Sequence, residues 1–314
     1  MKLHLFLAIN LVMLLSRLEA APVLSMPHVL VSSSSGGVSR VNAATGQYID
    51  KLFTGFNLTS GAPMAVGPDG HLYVGSFNGN VVHEFDIHTG VHYGVFATAA
   101  QGVRGIAFGP NGNLFVAAAN ANAIKEYDRT TGQFIRNFLS VNTPIDLTFG
   151  PSNVLYVARG HHQISNPSSI LRFDAVTGNP LGAFATQQVD TPQALLLGRE
   201  GDIFVTNQWD NAAPVVKFDV ATGAVEFATS DLGNPQGLLL LPNRTLLVAT
   251  ASSFIHRYHA DTGAFLGTFI SDSRLGSTSD LIYVPEPSTA VLTVIASVMS
   301  VVALAAHRKI GCKH

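Results

Sequence analysis

Cysteine is nearly absent from this sequence. Among 314 residues only Cys312 carries a thiol, so no internal disulfide and no cysteine-rich metal site can form. Charge is also scarce. Lys, Arg, Asp and Glu make up 12% of the chain, with 18 basic residues against 20 acidic ones. That balance offers nothing to a nucleic-acid phosphate backbone. Low charge together with 47% apolar residues also excludes an acidic disordered chain or a charged helical array. Tryptophan occurs once, at Trp209. The middle of the chain lacks any long 3.6-residue apolar period, which excludes a helical core there. It lacks the GxSxG, GxxxxGK and HExxH patterns of serine hydrolases, phosphate-binding loops and zinc helices. What is abundant is glycine, with 29 residues, punctuating short apolar runs.

Both ends read as trafficking segments. Residues 1–21 combine Lys2, the apolar run LFLAINLVMLL at 5–15 and the small residues Ala20 and Ala21, as a secretory signal peptide does. Near the other end, TAVLTVIASVMSVVALAA at 289–306 carries no formal charge and is followed by Arg308 and Lys309. Eighteen residues as a helix just span a hydrocarbon core, and the basic end would stay cytoplasmic. Pro285, Glu286 and Pro287 precede this run, and the prolines keep a helix from continuing back into the preceding domain. The tail at 284–314 resembles the PEP-CTERM sorting signal: a Pro-Glu-Pro motif, an apolar helix and a basic end, in that order. The resemblance implies processing by an exosortase-type enzyme, with Pro285, Glu286 and Pro287 as the processing motif and membrane attachment through the helix before processing. It also implies a Gram-negative bacterium, with delivery to its surface, outer membrane or extracellular matrix.

Between the ends the sequence repeats. GPDGHLYV at 67–74 returns as GPNGNLFV at 109–116, GPSNVLYV at 150–157, GREGDIFV at 198–205 and LPNRTLLV at 241–248. A second motif ends in Thr-Gly: VNAATG at 41–46, FDIHTG at 85–90, YDRTTG at 127–132, FDAVTG at 173–178, FDVATG at 218–223 and YHADTG at 258–263. Periods of about 40–48 residues, each holding four short strand candidates bounded by turn formers, describe propeller blades. Asp86, Asp128, Asp174 and Asp219 can accept turn N–H groups while the following glycine adopts positive φ. Asn42 can substitute for them, whereas His259 must hold its turn differently. The residue before each of these sites, and the apolar residue three before it, are expected to pack between sheets.

Closure is legible as well. The first copy begins at Val29-Leu30-Val31, which matches a second strand, and lacks an innermost strand. Residues 279–284 resemble 145–149 and can supply it. The expected fold is therefore all-β: a six-bladed propeller of four-stranded blades over 26–284, closed by a C-terminal strand joining the N-terminal blade. Its motifs resemble those of the NHL, gluconolactonase/SMP-30 and virginiamycin B lyase-like propellers. That group holds metal-dependent lactonases, a lyase and binding modules, so the resemblance does not choose an activity. A lactonase-like site implies Glu, two Asn and Asp around a divalent cation on inner strands. The inner positions here carry no Glu, since Glu84 and Glu126 fall in third strands, and the lyase His/Glu arrangement is not matched.

Two groups of candidate ligand-binding residues follow. Pro63, Arg104, Asp146, Gln193, Gln236 and Asp280 start the innermost strands and face the central channel. Arg159, His161, His162, Asn207, Trp209 and Asp210 lie on the longer connections after second strands, where insertions on a repeating scaffold often form a binding face. Trp209 can stack on a sugar ring, and His161 or His162 can serve as base or ligand with Asp210 as partner. These residues point to an exported binding or scaffold protein for a polysaccharide or surface protein, with no nucleic acid and no resident cofactor. A divalent-cation lactonase-like hydrolase or lyase is the alternative.

Overall fold

The computed structural model describes residues 26–34, 36–58, 61–160, 168–185, 189–208, 213–230 and 232–286. Residues 29–283 form one compact unit built from six four-stranded antiparallel sheets. Blade 1 joins Thr278–Val284 to His28–Ser33, Gly37–Asn42 and Tyr48–Thr54. Blade 2 runs through Met64–Val66, Leu72–Ser76, Val81–Phe85 and His92–Ala97. Blade 3 begins at Val103–Phe108, blade 4 at Pro144–Gly150, blade 5 at Pro192–Leu197 and blade 6 at Pro235–Leu240. These first strands pack against one another around the axis. The composite blade, one strand from the end of the domain and three from its start, is as the repeats predict. The predicted signal segment 1–21, Pro287 and the apolar run 289–306 lie outside the described residues. Among the described residues no helix is long and apolar enough to cross a membrane.

The LYV-type motif forms second strands buried on both faces, such as Leu72–Ser76 and Leu114–Ala118, which is why these runs are continuously apolar. Their aromatics bind neighbouring blades. Tyr73 stands 4.8 Å from Phe96 of its own blade and 4.9 Å from Phe108 of blade 3, both edge-on. Phe115 repeats this with Phe138 and Phe149, each at 5.1 Å. The preceding Gly-Pro glycine makes room: a Cβ on Gly67 or Gly109 would meet the ring of Tyr73 or Phe115 at 2.5 Å. The residues predicted to lie between sheets are buried without exception, from Val38 and Val41 through Ile255 and Tyr258.

The Thr-Gly turns connect each blade to the one before it. Asp86 Oδ1 accepts from the N–H groups of His88 and Thr89 and from the Thr89 hydroxyl, at 2.7–3.0 Å. Asn42, Asp128, Asp174 and Asp219 hold their turns the same way. The glycine that follows has φ between +65° and +75° in all six copies and presses on the fourth strand of the preceding blade. A Cβ on Gly132 would lie 1.9 Å from Phe96 O, and one on Gly46 would lie 2.0 Å from Phe269 O. The second contact seals blade 1 to blade 6. In the last copy His259 Nδ1 accepts only from Asp261 N–H, at 3.3 Å. His259→Asp is expected to stabilise the domain by about 0.5–1 kcal/mol, one added turn hydrogen bond, because Thr262 already stands in place and Arg244 neutralises Asp261 at 2.7 Å. A thermal melt showing no rise would contradict this.

Candidate functional site

The start of each first strand is irregular. In blade 3, Val103 pairs with Ala118 and Gly105 with Ala117, leaving Arg104 as a bulge. Blade 5 bulges in the same way at Gln193, and blade 6 has an irregularity spanning Gln236. A bulge re-aims a side chain, and here the bulged residues turn to the axis. Arg104, Gln193 and Gln236 line one cavity of about 70 Å³ together with Pro63, Asp146 and Asp280. All six inner-strand candidates therefore meet. They occupy two adjacent positions rather than one ring. In blade 4 the bulged residue is Ile145, so Asp146 sits at the place held by Gly105 in blade 3.

The two aspartates are built into the ring. Asp146 Oδ1 accepts from Leu147 N–H and Oδ2 from Leu195 N–H of blade 5, both at 2.8 Å. Asp280 does the same with Leu281 N–H at 2.8 Å and Met64 N–H of blade 2 at 2.7 Å. Behind each lies a glycine of the preceding blade. A Cβ on Gly105 would meet Asp146 Oδ1 at 2.4 Å, and one on Gly237 would meet Asp280 Cα at 2.7 Å. The sequence of blades 3, 4 and 5 is thus echoed by blades 6, 1 and 2, a pseudo-twofold pattern broken by Arg104 against Gln236. Hydroxyls add two more pins: Thr206 Oγ1 donates to Gln236 O at 2.7 Å and Ser32 Oγ to Ala62 O at 2.8 Å.

Enclosure by protein sets the protonation of this channel. Burial pushes Asp146 up to about 8, opposed by its two N–H donors and reinforced by the nearby Asp280. Asp280 is pushed up to about 6 by the same loss of hydration. Burial lowers the Arg104 guanidinium from its ordinary value, and that group stacks 4.6 Å over the Phe77 ring. Near neutral pH the cavity then holds one guanidinium, one carboxylate and one largely protonated acid. Its charges balance without an ion. Each carboxylate receives two backbone N–H groups, and a guanidinium shares the space.

The loop candidates divide. Arg159 ends a second strand and its Nε donates to Ser169 Oγ at 2.9 Å. Asn207 is fully buried: its Nδ2 donates to Ala213 O at 2.8 Å, and its Oδ1 accepts from Asp190 N–H at 3.1 Å. It holds the loop rather than presenting itself to a ligand. His161, His162, Trp209 and Asp210 lie outside the described residues. A separate cluster stands where one copy departs from the repeat. Asp69, His71 and Glu84 converge at the turn end of blade 2, and their ligand atoms lie within 4.8 Å of one another. Its signal is visible in GPDGH against GPNGN: acid and imidazole replace two amides.

Comparison with known proteins supports the architecture. A family model described as outer membrane protein assembly factor BamB matches residues 10–138, less than half of the chain. No curated protein matches the sequence. Among solved structures, a chain of the nidogen/laminin complex aligns with TM-score 0.68 and 12% identity, over 82% of this chain and 98% of that one. A protein of unknown function from Bacteroides caccae aligns at 0.63 and 15%, over 83% and 99%. A gluconolactonase from Xanthomonas campestris aligns at 0.61 and 16%, over 84% and 96%. At such identities the likeness is one of fold. The chain is a six-bladed propeller with a BamB-like segment.

Proposed function

We propose that this chain is an exported binding or scaffold protein that engages an extracellular polysaccharide or a surface protein through the loop-bearing face of its propeller. One observation carries the reading: Asp146 and Asp280, the acids of the channel, join neighbouring blades and face a cavity of about 70 Å³. Sites for drug-sized ligands usually enclose about 300–1,000 Å³, so this channel suits a few waters better than a sugar lactone. The signal-like residues 1–21 and the PEP-CTERM-like tail support export in this reading, with an exosortase-type enzyme as processing partner. The BamB-like match agrees with a periplasmic or surface setting. Solved neighbours from a protein complex and from a lactonase illustrate that the scaffold serves both kinds of role.

The alternative is a divalent-cation lactonase-like hydrolase or lyase, and one pair of assays separates the two. The intact chain is expected to bind an anionic or neutral exopolysaccharide saturably on a glycan array, with Trp209→Ala weakening binding at least tenfold. It is expected to hydrolyse aldonolactones no faster than buffer. Lactone turnover abolished by chelation would replace the binding reading with the enzymatic one.

A further inference from the structure

Several blades carry a polar slot centred on a charged residue of the third strand, and in blades 3 and 5 two residues of the first turn stand beside it. In blade 3 the central Glu126 accepts from Asn111 Nδ2 and Asn113 Nδ2, both at 2.8 Å, and pairs with Arg136 at 2.7 Å. In blade 5 the centre is Lys217, which pairs with Asp202 and Glu226 at 2.7 Å each, while Glu200 pairs with Arg244 at 2.6 Å. In blade 1 Arg40 meets Asp50. Every carboxylate in these three slots is matched by a cation or an amide donor.

Blade 2 departs from this rule. Asp69, His71 and Glu84 stand at the positions of Asn111, Asn113 and Glu126, and Gly94 stands at that of Arg136. Two amide donors and a guanidinium are thereby exchanged for a carboxylate, an imidazole and no side chain. His71 Nδ1 lies 2.6 Å from Glu84 Oε1 and 3.7 Å from Asp69 Oδ2. Tyr73 donates its hydroxyl to Asp69 Oδ2 at 2.7 Å and fixes that carboxylate, as outer partners of metal ligands do. The Tyr93 ring lies 4.7 Å from that of His71. Beside the cluster is an open cavity of about 350 Å³, reached by Asp69, Tyr73, Glu84 and Arg129.

We propose that Asp69, His71 and Glu84 form a three-ligand site for a divalent transition-metal ion of the zinc type, at the turn end of blade 2 and apart from the channel. One imidazole and two carboxylates suit such an ion. Metal bonds of about 2.0–2.1 Å at tetrahedral angles place donors roughly 3.3 Å apart. The His71–Asp69 separation is close to this, and the His71–Glu84 contact reaches it with a small side-chain rotation. Both carboxylate residues, Asp69 and Glu84, line the open cavity, so water can reach the cluster from that side. The competing arrangement is the direct His71–Glu84 hydrogen bond, which needs no ion.

Zinc titration of the chelator-treated intact chain distinguishes the two. Calorimetry is expected to show a saturable zinc equivalent that Asp69→Asn/His71→Asn, the blade 3 arrangement, removes or weakens at least tenfold. Glu84→Gln, nearly isosteric, is expected to do the same, and it supplies the answer if the double variant does not fold. Zinc should raise the melting temperature of the wild type, as ligands of a native state do, and leave that of Glu84→Gln unchanged. An intact chain that takes up no zinc would overturn the proposal. So would unchanged stoichiometry and affinity in a folded variant, which would place the ion on other histidines.

Discussion

Gly46→Ala is expected to destabilise the propeller by about 2–5 kcal/mol. Gly46 has φ +73°, in the left-handed region where a Cβ costs roughly 1–2 kcal/mol. The added methyl would also stand 2.0 Å from Phe269 O and 2.9 Å from its carbonyl carbon. Those atoms are backbone, so a fourth strand must shift, with an overpacking cost of about 1–3 kcal/mol. For a domain of this size the loss is roughly 5–15 °C in melting temperature. Gly201→Ala is the control, since Gly201 has φ +86° with open space around its Cβ position. Gly132→Ala, which meets Phe96 O at 1.9 Å between blades 2 and 3, should match Gly46→Ala if the ring is sealed as firmly at its ends as within the chain. A Gly46→Ala melt equal to that of Gly201→Ala would show that blades 1 and 6 are not held together at this point.

The fold was legible because its causes are local and repeated. A glycine of positive φ closes the turn of every blade, a turn acid precedes it in four of the six and a doubly buried LYV-type strand recurs in five, and each reports a contact the ring needs. The closing strand could be read because 279–284 copies 145–149. The channel residues could be read as a set, since all must begin an inner strand. Their roles could not. Asp146 caps Leu195 N–H 49 residues onward and Asp280 caps Met64 N–H 216 residues back, so the bonds exist only once blades are neighbours. The one-residue offset between Arg104 and Asp146 depends on where each strand bulges, which the motif does not encode. The Asp69–His71–Glu84 cluster was readable in principle, by asking how one copy departs from the repeat rather than how it agrees.

Asp146→Ala is expected to cost about 2–4 kcal/mol, because it strands two N–H groups, of Leu147 and Leu195, at about 1–3 kcal/mol each when buried and somewhat less where channel water can reach them. Its charge state makes a second, independent prediction. The folded state holds the Asp146 proton up to about pH 8, whereas an unfolded Asp releases it near 3.9. The folded chain therefore binds more protons across that window, and stability falls as pH rises through it. Asp280, pushed up to about 6, acts the same way at lower pH. His83 and His256 are held below their ordinary value by burial and act oppositely. They contribute stability that disappears as pH drops past the unfolded His value near 6.5. Between pH 7 and 8 both histidines are mostly neutral folded or unfolded and Asp280 is mostly ionised, so Asp146 dominates among these four. Denaturant titrations should show stability declining over this interval, by at most about 1.4 kcal/mol per pH unit for one proton. Asp146→Asn should flatten that slope while losing one of the two backbone bonds. A wild-type slope that rises with pH, or one unchanged in Asp146→Asn, would mean that the carboxylate is ionised in the channel, leaving the cavity with an acidic excess over Arg104.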